Sequence, residues 1–370
     1  MATHDHDPRV VMTLDAGGTS FRFSAMRGNK LVTPTTVLPS NADHLDRCLG
    51  NIIEGFTATW QKCPEQPVAI SFAFPGPADY PLGVIGDLPN LPAFRGGIAL
   101  GPMLEEKFKI PTFINNDGDL FTYGEAIAGF LPYVNGLLEK NGSPKRFKNL
   151  FGVTLGTGFG GGIAYDGELF LGDNSIAGEV WLLRNKLAPT MNAEEGASIR
   201  AVRRVYAERA GMPFAQTPEP RTISEIGLGT QPGNRPAAVE AFRQLGETVG
   251  DAMGNALTLI DGLAVVGGGL SGAWPLFLPA LVDELNSNYT GPDGKPFRRL
   301  ASKAFNLQDQ NQLEQFLKGE TREIRVPLNN HTLRYDPSQR VGVGISRLGT
   351  SEAIAIGAYA FALRKLRSEN

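Results

Sequence analysis

Little in this chain fixes a function class at a glance. Only two of its 370 residues are cysteine, Cys48 and Cys63. That excludes a disulfide framework and offers no zinc-ligand spacing, so both are read as reduced structural thiols. No apolar run approaches the ~18 residues of a membrane span. Formal net charge is −3, so no broad basic field attracts nucleic acid or an anionic membrane, and neither is expected as a partner. The sequence G-x-x-x-x-G-K-[ST] does not occur, so a nucleotide site here is not of P-loop type. Met1 to Pro8 lacks the charged-then-apolar pattern of a signal peptide. Its His4 and His6 could ligate a metal, but a frayed polar tail is the favoured reading. A cytoplasmic protein is the resulting expectation.

What is present is the composition of a soluble globular protein, 42% hydrophobic and 20% charged. Its length suggests two domains. The 45 glycines cluster rather than scatter. Arg9 to Asp15 reads as a buried strand, a tight Gly17-Gly18 turn follows, and Phe21 to Met26 reads as its partner. Lys30 to Val37 suggests a further strand. Ala42 to Trp60 carries Leu45, Leu49, Ile52, Ile53 and Phe56 at helical spacing. Strands at Val68 to Phe74 and Thr112 to Asn115 and helices at Ile98 to Phe108 and Asp119 to Ala128 follow.

The pattern then restarts. Leu150 to Leu155 is a strand, then comes a glycine-rich turn, then strands at Gly162 to Tyr165 and Glu168 to Leu171. Helices are read at Ala197 to Ala210, Ala237 to Leu259, Trp274 to Leu285 and Ser351 to Leu366, and a strand at Gly262 to Val266. Architecture repeats here, sequence does not. Two α/β domains are expected, 1–127 plus 351–370 and 128–350, with a polar insertion at about 288–339.

Five constellations could carry chemistry. In Asp15-Ala16-Gly17-Gly18-Thr19, small residues admit a phosphate to backbone amides, and the carboxylate can hold magnesium directly or through water. A plain hairpin turn is the competing reading. Gly156 to Gly162 happens to match G-x-G-x-x-G, but that motif needs a helix after it. Here Ile163-Ala164-Tyr165 and an Asp-Gly turn read as a hairpin, so a second phosphate loop fits better. Five glycines in the seven residues from Gly156 cost entropy that a structural turn need not spend. Gly267-Gly268-Gly269 after a strand lets a nucleoside lie on bare backbone. Asn116-Asp117 stands between a strand and a helix, as a helix cap would, or as a carboxylate that orients a hydroxyl and takes its proton. Glu179 and Glu194-Glu195 gain meaning only if they join that group.

Asp15 to Thr19, Pro75-Gly76-Pro77, Asn90-Leu91-Pro92, Asn116-Asp117, Gly156 to Gly162, Gly178-Glu179 and Gly267 to Gly269, in this order, resemble the ROK family of sugar kinases and regulators. The Gly357-Ala358 helix resembles that family's closing helix. The resemblance implies an actin-like ATPase (ribonuclease H-like) fold, two α/β domains about a cleft, and phosphoryl transfer from ATP to a hexose. It makes Asp117 the general base and Gly76, Asn90, Asn116, Glu179 and Glu194 sugar-site residues, Glu194 by its E-x-x-x-S spacing to Ser198. Gly17, Gly18, Thr19, Thr157 and Gly158 would meet ATP phosphates, Gly268 and Gly269 adenosine, and Asp15 magnesium.

Three departures matter. The family's G-E-x-G-H is here Gly178-Glu179-Val180-Trp181-Leu182, so Leu182 replaces a histidine. Asp119 stands where an asparagine is usual. The cysteine-rich motif is missing, so no structural zinc is expected. Glucose, through its 6-hydroxyl, is the first substrate expected, before mannose, fructose and N-acetylated amino sugars. The rival is a sugar-sensing pseudokinase or regulator. The dozen residues before the first loop are too few for the helix-turn-helix of such repressors. A chaperone-like ATPase of the same fold would not need Asn116-Asp117, Glu179 and Glu194. Family members are often dimers, and a homodimer is compatible with this chain.

Overall fold

The computed structural model describes residues 4–17, 19–76, 78–86, 93–329 and 331–368. In chain order come β1 (Val11–Ala16), β2 (Ser20–Arg27), β3 (Lys30–Leu31), β4 (Thr36–Pro39), α1 (Leu45–Trp60), β5 (Ala69–Ala73), β6 (Ala78–Asp79), β7 (Val84–Ile85), β8 (Ile98–Ala99), α2 (Leu100–Phe108), β9 (Thr112–Asn115) and α3 (Asp117–Ile127). There follow α4 (Phe130–Lys140), β10 (Leu150–Leu155), β11 (Phe159–Tyr165), β12 (Glu168–Leu169), α5 (Ile199–Ala210), α6 (Pro220–Leu228), α7 (Arg235–Ile260), β13 (Leu263–Gly267), α8 (Trp274–Leu285), β14 (Asn288–Thr290), β15 (Pro296–Arg298), β16 (Lys303–Asn306), α9 (Gln310–Lys318), β17 (Arg322–Arg325), β18 (Thr332–Tyr335), β19 (Arg340–Ile345) and α10 (Thr350–Ser368). They fall into two units, Met1–Gly129 with Gly162–Gly178 and Leu348–Asn370, and Phe130–Gly161 with Glu179–Arg347.

In the first unit the sheet order is β3-β2-β1-β5-β9, with β4 also paired to β2. β1 and β2 are antiparallel; β1, β5 and β9 are parallel. Parallel strands are covered on both faces, and β5 is buried at every position, the small Ser71 included. One face packs Met12, Phe23 and Phe72 on Ile52 and Phe56 of α1. The other packs Val11, Met26 and Ala69 on Ile356, Tyr359 and Leu363 of α10.

The start of the chain is not the frayed tail expected. His4 is buried and meets Tyr359 edge-on. The Tyr359 hydroxyl accepts from the Gly28 amide at 2.9 Å and donates to the Arg9 carbonyl at 3.2 Å. An aromatic ring with a polar tip, more than 300 residues away in sequence, holds this segment in place.

In the second unit β11, β10, β13, β19 and β16 are successive neighbours, and β10, β13, β19 and β16 run parallel. The residues read as an insertion therefore contain a strand of the central sheet, with Ala304, Phe305 and Asn306 buried. The hairpins β14-β15 and β17-β18 are the protruding parts, and their strands are almost wholly exposed. Asp336 and Arg340 form an ion pair at 2.6 Å, both about 1% exposed, at the root of the second hairpin.

Helices α3 and α10 touch backbone to backbone. A Cβ on Gly124 would overlap the Ala353 carbonyl, and one on Gly357 would overlap the Leu120 carbonyl. On an open helix face Gly→Ala gains up to ~1 kcal/mol. Here Gly124→Ala and Gly357→Ala are each expected to cost about 1–3 kcal/mol through overpacking. Urea unfolding reads the sign, and a gain would show that the two backbones are not in contact.

Candidate active site

β9 ends and α3 begins at Asn116, whose extended backbone and side-chain oxygen make it the N-cap, accepting from the Gly118 amide at 2.7 Å. The cap reading of Asn116 thus describes the structure, and it leaves the amide NH2 as a donor for a ligand. Asp117 is the first helical residue, and its Oδ1 also accepts from the Gly118 amide, at 2.9 Å. Its side chain reaches solvent. Even so, the surrounding protein desolvates the carboxylate and pushes its pKa above the usual 3.8, while the amides of Gly118 and of Asp117 itself offset part of that. The helix start is set against β11: a Cβ on Gly162 would lie 2.6 Å from the Gly118 carbonyl. Gly162, the last glycine of the second rich turn, is what lets α3 approach.

The β1–β2 turn brings Asp15 opposite Arg22 in register. Both side chains are exposed, and among the described residues neither has an ion-pair partner. They line a cavity of about 510 Å³ with Thr13, Ser24 and, from α10, Ser351 and Glu352. The Gly17 amide donates to the Ser20 carbonyl at 3.1 Å, and Thr19 is exposed beside it. Among the described residues no group of three or more His, Cys, Asp or Glu could hold a metal ion. The Asp15 carboxylate could hold magnesium, which keeps most of its shell for phosphates and water; Glu352 is a second carboxylate on the same cavity. Gly76 is exposed and close to the Tyr80 hydroxyl. Gly18 and Asn90 lie outside the described residues.

In the second unit Thr157 is exposed at the tip of the glycine turn, which closes with the Gly156 amide donating to the Gly158 carbonyl at 3.0 Å. Glu194 Oε2 accepts from the Phe159 amide at 3.0 Å, and a Cβ on Gly158 would sit 2.6 Å from that same oxygen. Glu194 Oε1 accepts from Arg200 Nη2 at 2.9 Å. Glu179 accepts from the indole nitrogen of Trp181; the next residue, Leu182, is 61% exposed. Gly268 is left-handed, with φ 89°, and its missing side chain makes room for the Leu155 backbone, so packing alone demands glycine there. Gly269 faces open space and remains free to contact a ligand.

The sequence-derived residues thus divide: Asp15, Gly17, Thr19, Gly76, Asn116 and Asp117 in the first unit, Thr157, Gly158, Glu179, Glu194, Gly268 and Gly269 in the second. Arg22 and Arg200 were not singled out. Hairpin register about the Gly17 turn was the signal for Arg22. For Arg200 only its place on a basic helix face pointed there. Because the Asp117 carboxyl binds its proton more tightly folded than unfolded, this group's stability contribution is complete below the unfolded pKa. It is lost as pH rises through the raised folded value. Asp117→Asn is therefore expected to melt above the unaltered protein at neutral pH, with the gap closing as pH falls into the ordinary carboxylate range. A lower melting point for the variant at neutral pH would contradict the desolvation argument.

A crystal structure of glucokinase from Parabacteroides distasonis is 54% identical and covers 98% of this chain and 99% of that one, with a TM-score of 0.89. Glucokinase of Streptomyces coelicolor is 24% identical over 310 residues, 78% of this chain and 90% of that protein. N-acetyl-D-glucosamine kinase of Vibrio vulnificus is 30% identical over 170 residues, 46% of this chain and 51% of that protein. The fold is the two-domain actin-like ATPase fold. Residues 11–306 match the profile of the ROK family, and the chain belongs to that family.

Proposed function

We propose that this protein transfers the γ-phosphoryl group of ATP to a hydroxyl of a hexose, the 6-hydroxyl of glucose in the first instance. The observation that carries the reading is the Asn116-Asp117 pair: a carboxylate with raised proton affinity at a helix start, beside an amide NH2 still free to donate. The 54% identical glucokinase favours glucose. The acetylglucosamine kinases, matched over less of the chain, keep amino sugars as second candidates.

On this reading Asp117 orients the attacking hydroxyl and accepts its proton as the new O–P bond forms and the bond to the ADP leaving group breaks. The transition state of phosphoryl transfer is loose, so a carboxylate suffices: positioning matters more than basicity. The proton later passes to solvent. Glu179 and Glu194 hold sugar hydroxyls, Asn116 donates to another, and the amides of the two glycine turns with Thr19 and Thr157 contact phosphates. Gly269 leaves backbone bare for the nucleoside. Magnesium, held by the phosphates with Asp15, would neutralise charge on the transferring group.

Leu182 favours a second reading, a sugar sensor without turnover, because an apolar side chain stands where the family has a histidine. A coupled ADP-release assay over a panel of hexoses and amino sugars decides between them. Sugar-stimulated turnover, greatest with glucose and lowered at least ~100-fold in Asp117→Ala, is expected for the kinase. Sugar binding by calorimetry with no sugar-dependent turnover would establish the sensor.

A further inference from the structure

Glu194 does more in this structure than present a carboxylate. Its segment grips both ends of the glycine turn. The Ile199 amide donates to the Gly156 carbonyl at 2.9 Å, and Glu194 Oε2 takes the Phe159 amide at 3.0 Å. Gly158 leaves room for that oxygen and no more. Nothing on the turn holds the other oxygen; Arg200 does, at 2.9 Å. The same guanidinium binds Glu195 Oε1 at 2.5 Å and Oε2 at 3.3 Å, and Arg204 Nη1 approaches that Oε2 as well, at 3.4 Å. Arg200 is itself 44% exposed, where an ion pair adds little to stability. Its geometry serves orientation instead.

We propose that Arg200 is a positioning residue that sets the Glu194 carboxylate, and that Glu194 thereby couples sugar occupancy to the nucleotide-binding glycine turn. The inference rests on the kinase reading for the sugar and the nucleotide. A carboxylate offers about four acceptor positions. The Phe159 amide and Arg200 use two, which leaves two for sugar hydroxyls. A hydroxyl donating to Glu194 removes its remaining freedom to rotate, and so orders the Phe159 amide and the turn with it. Ordering the turn in advance lowers the entropy cost of binding phosphates, so sugar raises nucleotide affinity. Without Arg200, Oε1 is released and the carboxylate hangs on the Phe159 amide alone, so a sugar hydroxyl can shift it without ordering the turn and the two sites no longer inform each other.

The experiment measures the dissociation constant of the non-hydrolysable analogue β,γ-imido-ATP with magnesium by calorimetry, with and without saturating glucose. The unaltered protein, Arg200→Met and Arg200→Lys are compared, together with their melting temperatures. Glucose is expected to tighten analogue binding at least about fivefold in the unaltered protein. The factor should fall to near one in Arg200→Met at an almost unchanged melting temperature, and recover in part in Arg200→Lys, which keeps the charge but not the planar fork. A full coupling factor in Arg200→Met would overturn this inference and leave the kinase reading standing. Failure of the unaltered protein to bind glucose, mannose, fructose or an N-acetylated amino sugar would overturn both.

Discussion

Direct backbone contact between α3 and α10 governs the first unit, because Asp117 is the first residue of α3. Gly124 and Gly357 face opposite carbonyls, so each helix contributes one bare position to the other. The contact brings the end of the chain against a helix that starts at residue 117. The same α10 covers one face of the sheet through Ile356, Tyr359 and Leu363, and its Tyr359 hydroxyl ties down residues 7 and 9. The buried Glu125 of α3 accepts from the Leu348 amide at 3.1 Å just before α10 begins. The carboxylate read as the base is thus set on a helix locked from its flank rather than on a free loop, which is what a positioned base requires.

The second unit applies the same physical rule with different groups. A glycine-rich turn carries too many backbone freedoms to stay in one shape unaided. Here its closing amide is fixed by a side-chain carboxylate and its opening carbonyl by the amide that starts α5. Glycine at 158 is needed because a carboxylate sits on it; glycine at 162, which belongs to the first unit, is needed because the start of α3 does. What reads in sequence as a generous phosphate loop is, position by position, partly a set of close approaches. Thr157 at its exposed tip is the part left to a ligand.

Much of this was legible in the sequence. The two strand–turn–strand starts near residues 15 and 156 were, since apolar runs ending in glycine clusters leave few alternatives. The cap sense of Asn116-Asp117 was legible, and the structure displays it directly. Glu194 is singled out only by the family resemblance, through its E-x-x-x-S spacing to Ser198, and its grip on the Phe159 amide is not, because that pairing spans 35 residues and a turn. β16 and β19 escaped notice because they are short, carry glycine or polar neighbours, and adjoin exposed hairpins of similar composition. α4 was hidden by Pro132 and Gly136, and α6 by the Pro220 that opens it, a first-turn position where a helix tolerates proline. The burial of His4 depends on Tyr359, and no local pattern announces a partner that far along the chain.

The account stands on phosphoryl transfer to a sugar rather than to water, and ADP formation alone does not separate the two. Phosphorus NMR of the protein incubated with magnesium, ATP and glucose does. A sugar phosphomonoester resonance growing in step with ADP, with no more inorganic phosphate than the protein-free control, is the predicted result. Growth of inorganic phosphate in place of that resonance would contradict the account.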